Sequence, residues 1–410
     1  MRFLTTIPCA IIGAALVLST ASAQVAVLGE RVHTVTGPII ENGVVLIDSD
    51  GVIEAVGSAA QVAVPDGYAV FEAAVVTPGL IDGRSTVGLT GMLNGEDQTH
   101  DQDMLERSSP IQPELSAVDA YNPLEPLVAY LRSFGITTVH TGHAPGELIS
   151  GRTAIMKTTG TTVREALVRA DVAVAATLDP RALKSGAKAP GTRGKAVAML
   201  RQQLIKAHEY QGKIDAAEDD KPVARDLRLE ALTGVLAGEH ALLLTVDRAQ
   251  DIDSALRLAD EFGFELWLDS CAEGPLVADR IAAAGVPVFL HPAMARPWGE
   301  MRNASMRSAA VLADAGVTVS MQSGYEGYVP KVRVVLFEAA IYASRGFGRE
   351  RALEALTITP ARLLGVDDRV GSIEVGKDGD LALYDGDPFE YTSHCVGVFI
   401  EGELVSSDPR

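Results

Sequence analysis

Between residues 79 and 366 the chain repeatedly passes from a short run of buried-type apolar residues into an amphipathic stretch. That alternation restricts the segment to a parallel sheet covered by helices. The runs lie at 135–139, 241–246, 264–268, 286–290 and 317–321. Enough such units fit between 79 and 366 for a (β/α)8 barrel, a fold that tolerates this length with insertions.

The two ends read differently. From Val25 to Val76 short alternating runs are broken by Gly, Asn and Asp, and the same texture returns at 380–384 and 396–402. These are the marks of antiparallel strands and hairpins. Each end is too small to bury a core alone, so 24–78 and 367–410 are expected to pair into one composite β-sandwich beside a barrel spanning 79–366. The charged stretch 215–228 reads as a solvated excursion.

Residues 1–23 have the form of a cleaved signal peptide: Arg2, an apolar run from Ile7 to Leu18, and Ala21-Ser22-Ala23 before Gln24. A periplasmic or secreted protein is expected. Cys9 lacks the small-residue context of a lipoprotein site. With 47% hydrophobic and 22% charged residues, and no later stretch able to span a bilayer, the mature chain is expected to be soluble. Cys271 and Cys395 are too few for a disulfide framework and read as packed thiols. A formal charge of −19 argues against nucleic acid or an anionic membrane as partner.

Several motifs carry a resemblance. Val76-Thr77-Pro78-Gly79-Leu80-Ile81-Asp82 is similar to the junction at which amidohydrolases leave the sandwich for the first barrel strand. Asp119-Ala120-Tyr121-Asn122-Pro123, Pro190-Gly191-Thr192-Arg193 and Arg248-Ala249-Gln250-Asp251-Ile252 add to it. The most specific block is Thr357-Ile358-Thr359-Pro360-Ala361-Arg362-Leu363-Leu364-Gly365 followed by Gly371-Ser372-Ile373-Glu374-Val375-Gly376-Lys377-Asp378-Gly379-Asp380-Leu381. The chain thus resembles the amidohydrolase superfamily, in its imidazolonepropionase-like branch. The resemblance implies one or two divalent ions, zinc or similar, that activate water at the C-terminal mouth of the barrel to hydrolyse C–N bonds.

The positions that the resemblance assigns to metal ligands hold other residues. The His-x-His pair of the first strand falls at Arg84 and Thr86, the fourth-strand acid at Leu178 with Asp179 one residue away, the fifth- and sixth-strand His at Thr245 and Ser270, and the eighth-strand Asp at Gly324. A guanidinium is permanently cationic and hydroxyls are poor neutral donors, so no bound metal cofactor is expected. None of the eight histidines, at 33, 100, 140, 143, 208, 240, 291 and 394, stands at a ligand position.

Other residues at strand ends are candidates for the pocket: Arg84, His140, His143, Asp247, Arg248, Asp269, Glu273, His291 and Gln322. His140, His143 and His291 with Asp247 or Asp269 could form a relocated metal site. Alternatively, Asp247, Asp269 or Glu273 could act as a base with Arg84 stabilising an oxyanion, or Arg84 could fill the vacated space and pair with one of those acids. Ser85, Ser270 and Ser323 show no legible triad, and Lys157 reads as surface or structural. Three functions compete: a pseudoenzyme that binds a small molecule at the mouth or assembles with itself or an active relative, a metal-dependent amidohydrolase, and a metal-independent enzyme. The residues favour the first.

Overall fold

The computed structural model describes residues 24–91, 103–184, 189–218, 222–325 and 334–409. The expected signal peptide at 1–23, with Cys9, and His100 lie outside the described residues.

The chain begins with β1 (Val25–Val32), β2 (Ile40–Ile47), β3 (Ile53–Ser58) and β4 (Ala69–Pro78). The barrel strands are β5 (Leu80–Ser85), β6 (Ile136–Thr141), β7 (Ile149–Arg152), β8 (Ala154–Lys157), β10 (Ala173–Thr177), β11 (Ala241–Val246), β12 (Leu266–Ser270), β13 (Val288–Leu290) and β14 (Val319–Met321), with a short β9 (Leu167–Arg169) paired to β8. Three last strands, β15 (Leu381–Tyr384), β16 (Cys395–Ile400) and β17 (Glu403–Ser406), return to the start of the chain and complete a seven-stranded sheet ordered β17-β16-β15-β4-β1-β2-β3. Both ends of the chain therefore build the small β-sandwich domain. Val27, Val45, Ile47, Val76, Leu381 and Phe399 fill its interior.

The step from sandwich to barrel is one residue long. β4 pairs with β15 up to Pro78, and β5 pairs with β6 from Leu80. Gly79 between them has no room for a side chain, because a Cβ there would lie 2.2 Å from Thr137 Oγ1. The Pro-Gly pair of the sequence motif is thus a close-approach requirement.

The barrel is TIM-like, and its strand count is met in an unexpected way. Strands β10 to β14 run parallel to one another, as do β5 and β6. Between β6 and β10 stands one nearly continuous strand, β7–β8, antiparallel to both neighbours. Only residues 142–148 separate β6 from β7, too few for a parallel crossover, so the chain must turn straight back. The ring closes where Ser85 and Gly324 bridge in parallel.

Strand alternation sets the barrel interior. Ile81, Ile155, Ala173, Leu243, Trp267 and Phe289 form an apolar layer, closed from below by Ala361 and Leu364 of the helix Ile358–Leu364. Two residues further along three of these strands come Thr245, Asp269 and His291, all buried. Polarity begins one layer above the apolar plug, at the C-terminal mouth.

Lys157, at the end of β8, ties the barrel to the sandwich. Its Nζ donates to Asp380 at 2.6 Å and Asp378 at 2.9 Å, and Arg369 donates to Asp378 and to Glu401. Burial works against the lysine's charge, but the two carboxylates outweigh it and raise its pKa. This residue is structural and buried, and the surface alternative falls away. Lys157→Met leaves buried Asp380 without its directly bonded cation and Asp378 with Arg369 alone, so urea unfolding is expected to show a loss of about 3–5 kcal/mol. A loss below about 1 kcal/mol, the size of an exposed pair, would contradict this assignment.

Candidate functional site

Arg84 is only 1% exposed, one of the largest fully buried side chains in the molecule. Its Nη1 donates to Ser85 O at 2.7 Å and Gly142 O at 3.2 Å, and its Nη2 donates to His143 O. The guanidinium therefore binds carbonyl oxygens at the ends of β5 and β6, and among the described residues no carboxylate is hydrogen-bonded to it. The expectation of a direct ion pair with Asp247, Asp269 or Glu273 is corrected here. Planar geometry and five donors let one arginine satisfy several carbonyls at once. Burial still opposes its charge, and the fields of Asp269 and Asp82 support it.

Asp269 is held by Thr245 Oγ1 at 2.7 Å and Gln322 Nε2 at 2.7 Å. Gln322 also donates to Phe289 O at 2.6 Å. Asp82 accepts from the backbone N–H and the hydroxyl of Ser323, and burial pushes its pKa up to about 6 despite those bonds and Arg84.

A second guanidinium stands nearer the surface. Arg181 Nε donates to Asp179 at 2.8 Å, and its Nη2 donates to both Asp179 and Asp247, the latter at 2.7 Å. Asp179 also accepts from Arg181 N, capping the short turn Pro180–Ala182. Burial opposes the Arg181 charge, yet Asp179, Tyr325 and Asp247 hold its pKa well above the usual arginine value. Tyr325 lies between the two arginines, with ring centroid 5.9 Å from Arg84 Cζ and 5.6 Å from Arg181 Cζ.

Asp179, not Leu178, continues the interior face of β10. Leu178 joins Val174 and Ala176 in the cluster between strands and helices. The one-residue offset thus retains a carboxylate at the mouth, but one bound to arginine. Thr86 is buried, Ser270 donates to Asp247 at 2.6 Å, and Gly324 has φ +80 with Pro292 2.9 Å from where its Cβ would be. An aspartate at 324 would be strained there.

The proposed relocated site does not assemble. His140 donates through Nδ1 to Gly83 O at 2.8 Å and accepts at Nε2 from Thr153 Oγ1 at 2.7 Å, so both ring nitrogens are engaged. Burial first, then Arg84, lowers its pKa to about 3, and the same two causes lower that of His143 to about 4. His291 uses Nδ1 on Pro292 O at 2.9 Å and packs on Tyr342. Among the described residues no group of three His, Cys, Asp or Glu side chains is arranged to hold an ion.

The suggested bases are also committed elsewhere. Asp247 accepts from Ser270, Ala272 N and Arg181. Glu273 accepts from Ala249 N at 2.9 Å and Asn303 Nδ2 at 2.7 Å, with Arg248 Nε 3.3 Å away. Burial works to raise its pKa, but these partners hold it below the usual carboxylate value. Arg248 and Glu273 join the helix Ala249–Phe262 to the segment around Asn303, and their role is structural.

A cavity of about 480 Å³ opens at the mouth, between Pro145, Pro180, Arg181, Asp247 and Tyr325 on one side and the segment 296–301 on the other. Of the nine pocket candidates, only Asp247 lines it. Arg84, His140, His143, Arg248, Asp269, Glu273, His291 and Gln322 do not. The residues missed are chiefly Arg181, Tyr325 and Trp298. Arg181 follows directly on the Asp179-Pro180 pair, and a tryptophan beside glycine in a loop after a barrel strand is a usable signal for Trp298.

A TIM-like barrel joined to a composite sandwich, with its cavity at the strands' C-terminal ends, defines an amidohydrolase-type protein. The amidohydrolase family model matches residues 72–406, and the chain belongs to that family, in its imidazolonepropionase-like branch. The crystal structure of an amidohydrolase from Thermotoga maritima MSB8 superposes with TM-score 0.84 and 26% identity, covering 94% of this chain and 100% of that one. The amidohydrolase tasK of Hapsidospora irregularis is 25% identical over 84% of this chain and 38% of its own length. The imidazolonepropionase of Thermoplasma volcanium is 35% identical over 25% of this chain and 26% of its own. The chain thus spans well under half the length of these curated relatives.

The family usually holds a divalent ion at this mouth, and the donor set described above does not fit one. Arg84 and Arg181 bring positive charge, and Asp179, Asp247 and Asp269 direct their oxygens to Arg181, Ser270, Thr245 and Gln322.

The raised pKa of Asp82 gives a pH test. The folded state binds this proton more tightly than the unfolded chain, so the stability cost of ionised Asp82 is full above pH 6 and vanishes below the ordinary value of 3.8. From pH 7 to 4 the wild type is expected to gain about 2 kcal/mol relative to Asp82→Asn. Parallel profiles of unfolding free energy against pH for the two proteins would contradict this.

Proposed function

We propose that this protein is an exported, non-hydrolytic member of the amidohydrolase family whose barrel mouth binds a small molecule. Family membership supports descent from enzymes that cleave C–N bonds. The observation that carries the departure from that chemistry is the pair of guanidinium groups, Arg84 and Arg181, standing among Asp82, Asp179, Asp247 and Asp269. Four carboxylates in a buried cluster need counter-charge, and here covalently attached cations supply part of it. A divalent ion entering this cluster would have to displace or face those cations. The form of residues 1–23 supports export.

The reading is tested by thermal unfolding in the presence of zinc or manganese. An ion held at a thousand times its Kd would stabilise the protein by about 4 kcal/mol, a shift of several degrees. The expected wild-type midpoint does not move by more than about 1 °C, a small fraction of that shift. Arg84→Ala is expected to melt lower and to recover part of the loss with millimolar guanidinium. A wild-type midpoint that climbs several degrees with either metal contradicts the proposal.

A further inference from the structure

The cavity at the mouth has a balanced lining. Two cations, Arg181 and Arg296, and two anions, Asp247 and Glu300, face it. Both oxygens of Asp247 are used, one by Ser270 and Ala272 N and the other by Arg181. Glu300 is paired with Arg193 at 2.5 Å, with Arg248 3.9 Å away. Both lining carboxylates are thus already paired, so a cationic ligand would find no unanswered acid, and an anionic one would compete with Asp179 and Asp247 for Arg181 while losing its own hydration.

The rest of the lining is apolar. Trp298 is 71% exposed and takes part in no ring contact among the described residues, although it lines the cavity with Pro145, Pro180, Met301 and Tyr325. A tryptophan so placed offers a flat face for stacking. Arg181 supplies one polar handle. Its side chain is 32% exposed, and Nη1 takes part in none of the bonds to Asp179 and Asp247. The volume, about 480 Å³, is that of a small-molecule pocket.

We infer that the mouth binds an uncharged, planar, largely apolar molecule stacked on Trp298, with a carbonyl-type acceptor taken by Arg181. This rests on the binding reading above and gives it a ligand class.

Three probes of one shape and different charge test it: benzamide, benzoate and benzamidinium, titrated into the wild type with chelator present. The chain has two tryptophans, and Trp267 is buried, so quenching of the exposed indole reports on Trp298. Benzamide is expected to bind at least tenfold tighter than benzoate and threefold tighter than benzamidinium. Trp298→Ala is expected to weaken benzamide at least tenfold, followed by calorimetry, with an unchanged melting midpoint. Tightest binding by either ion, equal binding of all three, or no binding of benzamide overturns the ligand class. Ammonia is measured in the same solutions. Its release from benzamide would overturn the non-hydrolytic reading while leaving the ligand class standing.

Discussion

A single guanidinium buried at the top of the barrel sets the conditions for everything around it. Arg84 donates its hydrogen bonds to the carbonyls at the ends of β5 and β6, joining the two strands where Ser85 O also accepts from Gly142 N. Its charge is tolerable in that position because Asp269 and Asp82 lie close enough to offset the loss of water. In turn Asp269 is fixed by Thr245 and Gln322, so the fifth, sixth and eighth parallel positions of the ring are linked through one buried polar group. Removing the guanidinium would leave both carbonyls and acids exposed to a low-dielectric interior.

The second guanidinium extends this arrangement outward. Arg181 binds the acids that follow β10 and β11, and Tyr325 after β14 lies between the two cations. The cavity then begins above Arg181 and Tyr325. A site of this kind has the scaffold of a hydrolase and the electrostatics of a closed ion-pair network. The chemistry such a scaffold carries is set by a handful of side chains on strand ends, not by the fold itself.

Much of the architecture was legible because it follows from period and composition. Alternation at both ends, the strand–helix rhythm between them and the Pro78-Gly79 junction all point to a barrel beside a β-sandwich, the observed fold class. The antiparallel β7–β8 strand was not legible, since its apolar residues carry no mark of direction, and only the seven-residue span before it forces the reversal. At the site, Arg84 could be read as space-filling, but its preference for carbonyls over acids depends on where β6 ends. Leu178 was assigned one residue away from the interior face, because a motif offset cannot be distinguished from a pleat without neighbours in space. Arg181 and Trp298 are not legible from the family's ligand pattern, since they sit outside it and their positions depend on Asp179, Asp247 and the loop after β13.

The central claim is that fixed arginine cations stand in place of the family's divalent ions. It is tested most directly by counting metal per chain, using elemental mass spectrometry on folded, monodisperse protein before and after incubation with zinc, manganese or iron. The expected result is no ion above background in either state. One or two tightly held ions per chain, lost only to strong chelation, would contradict it.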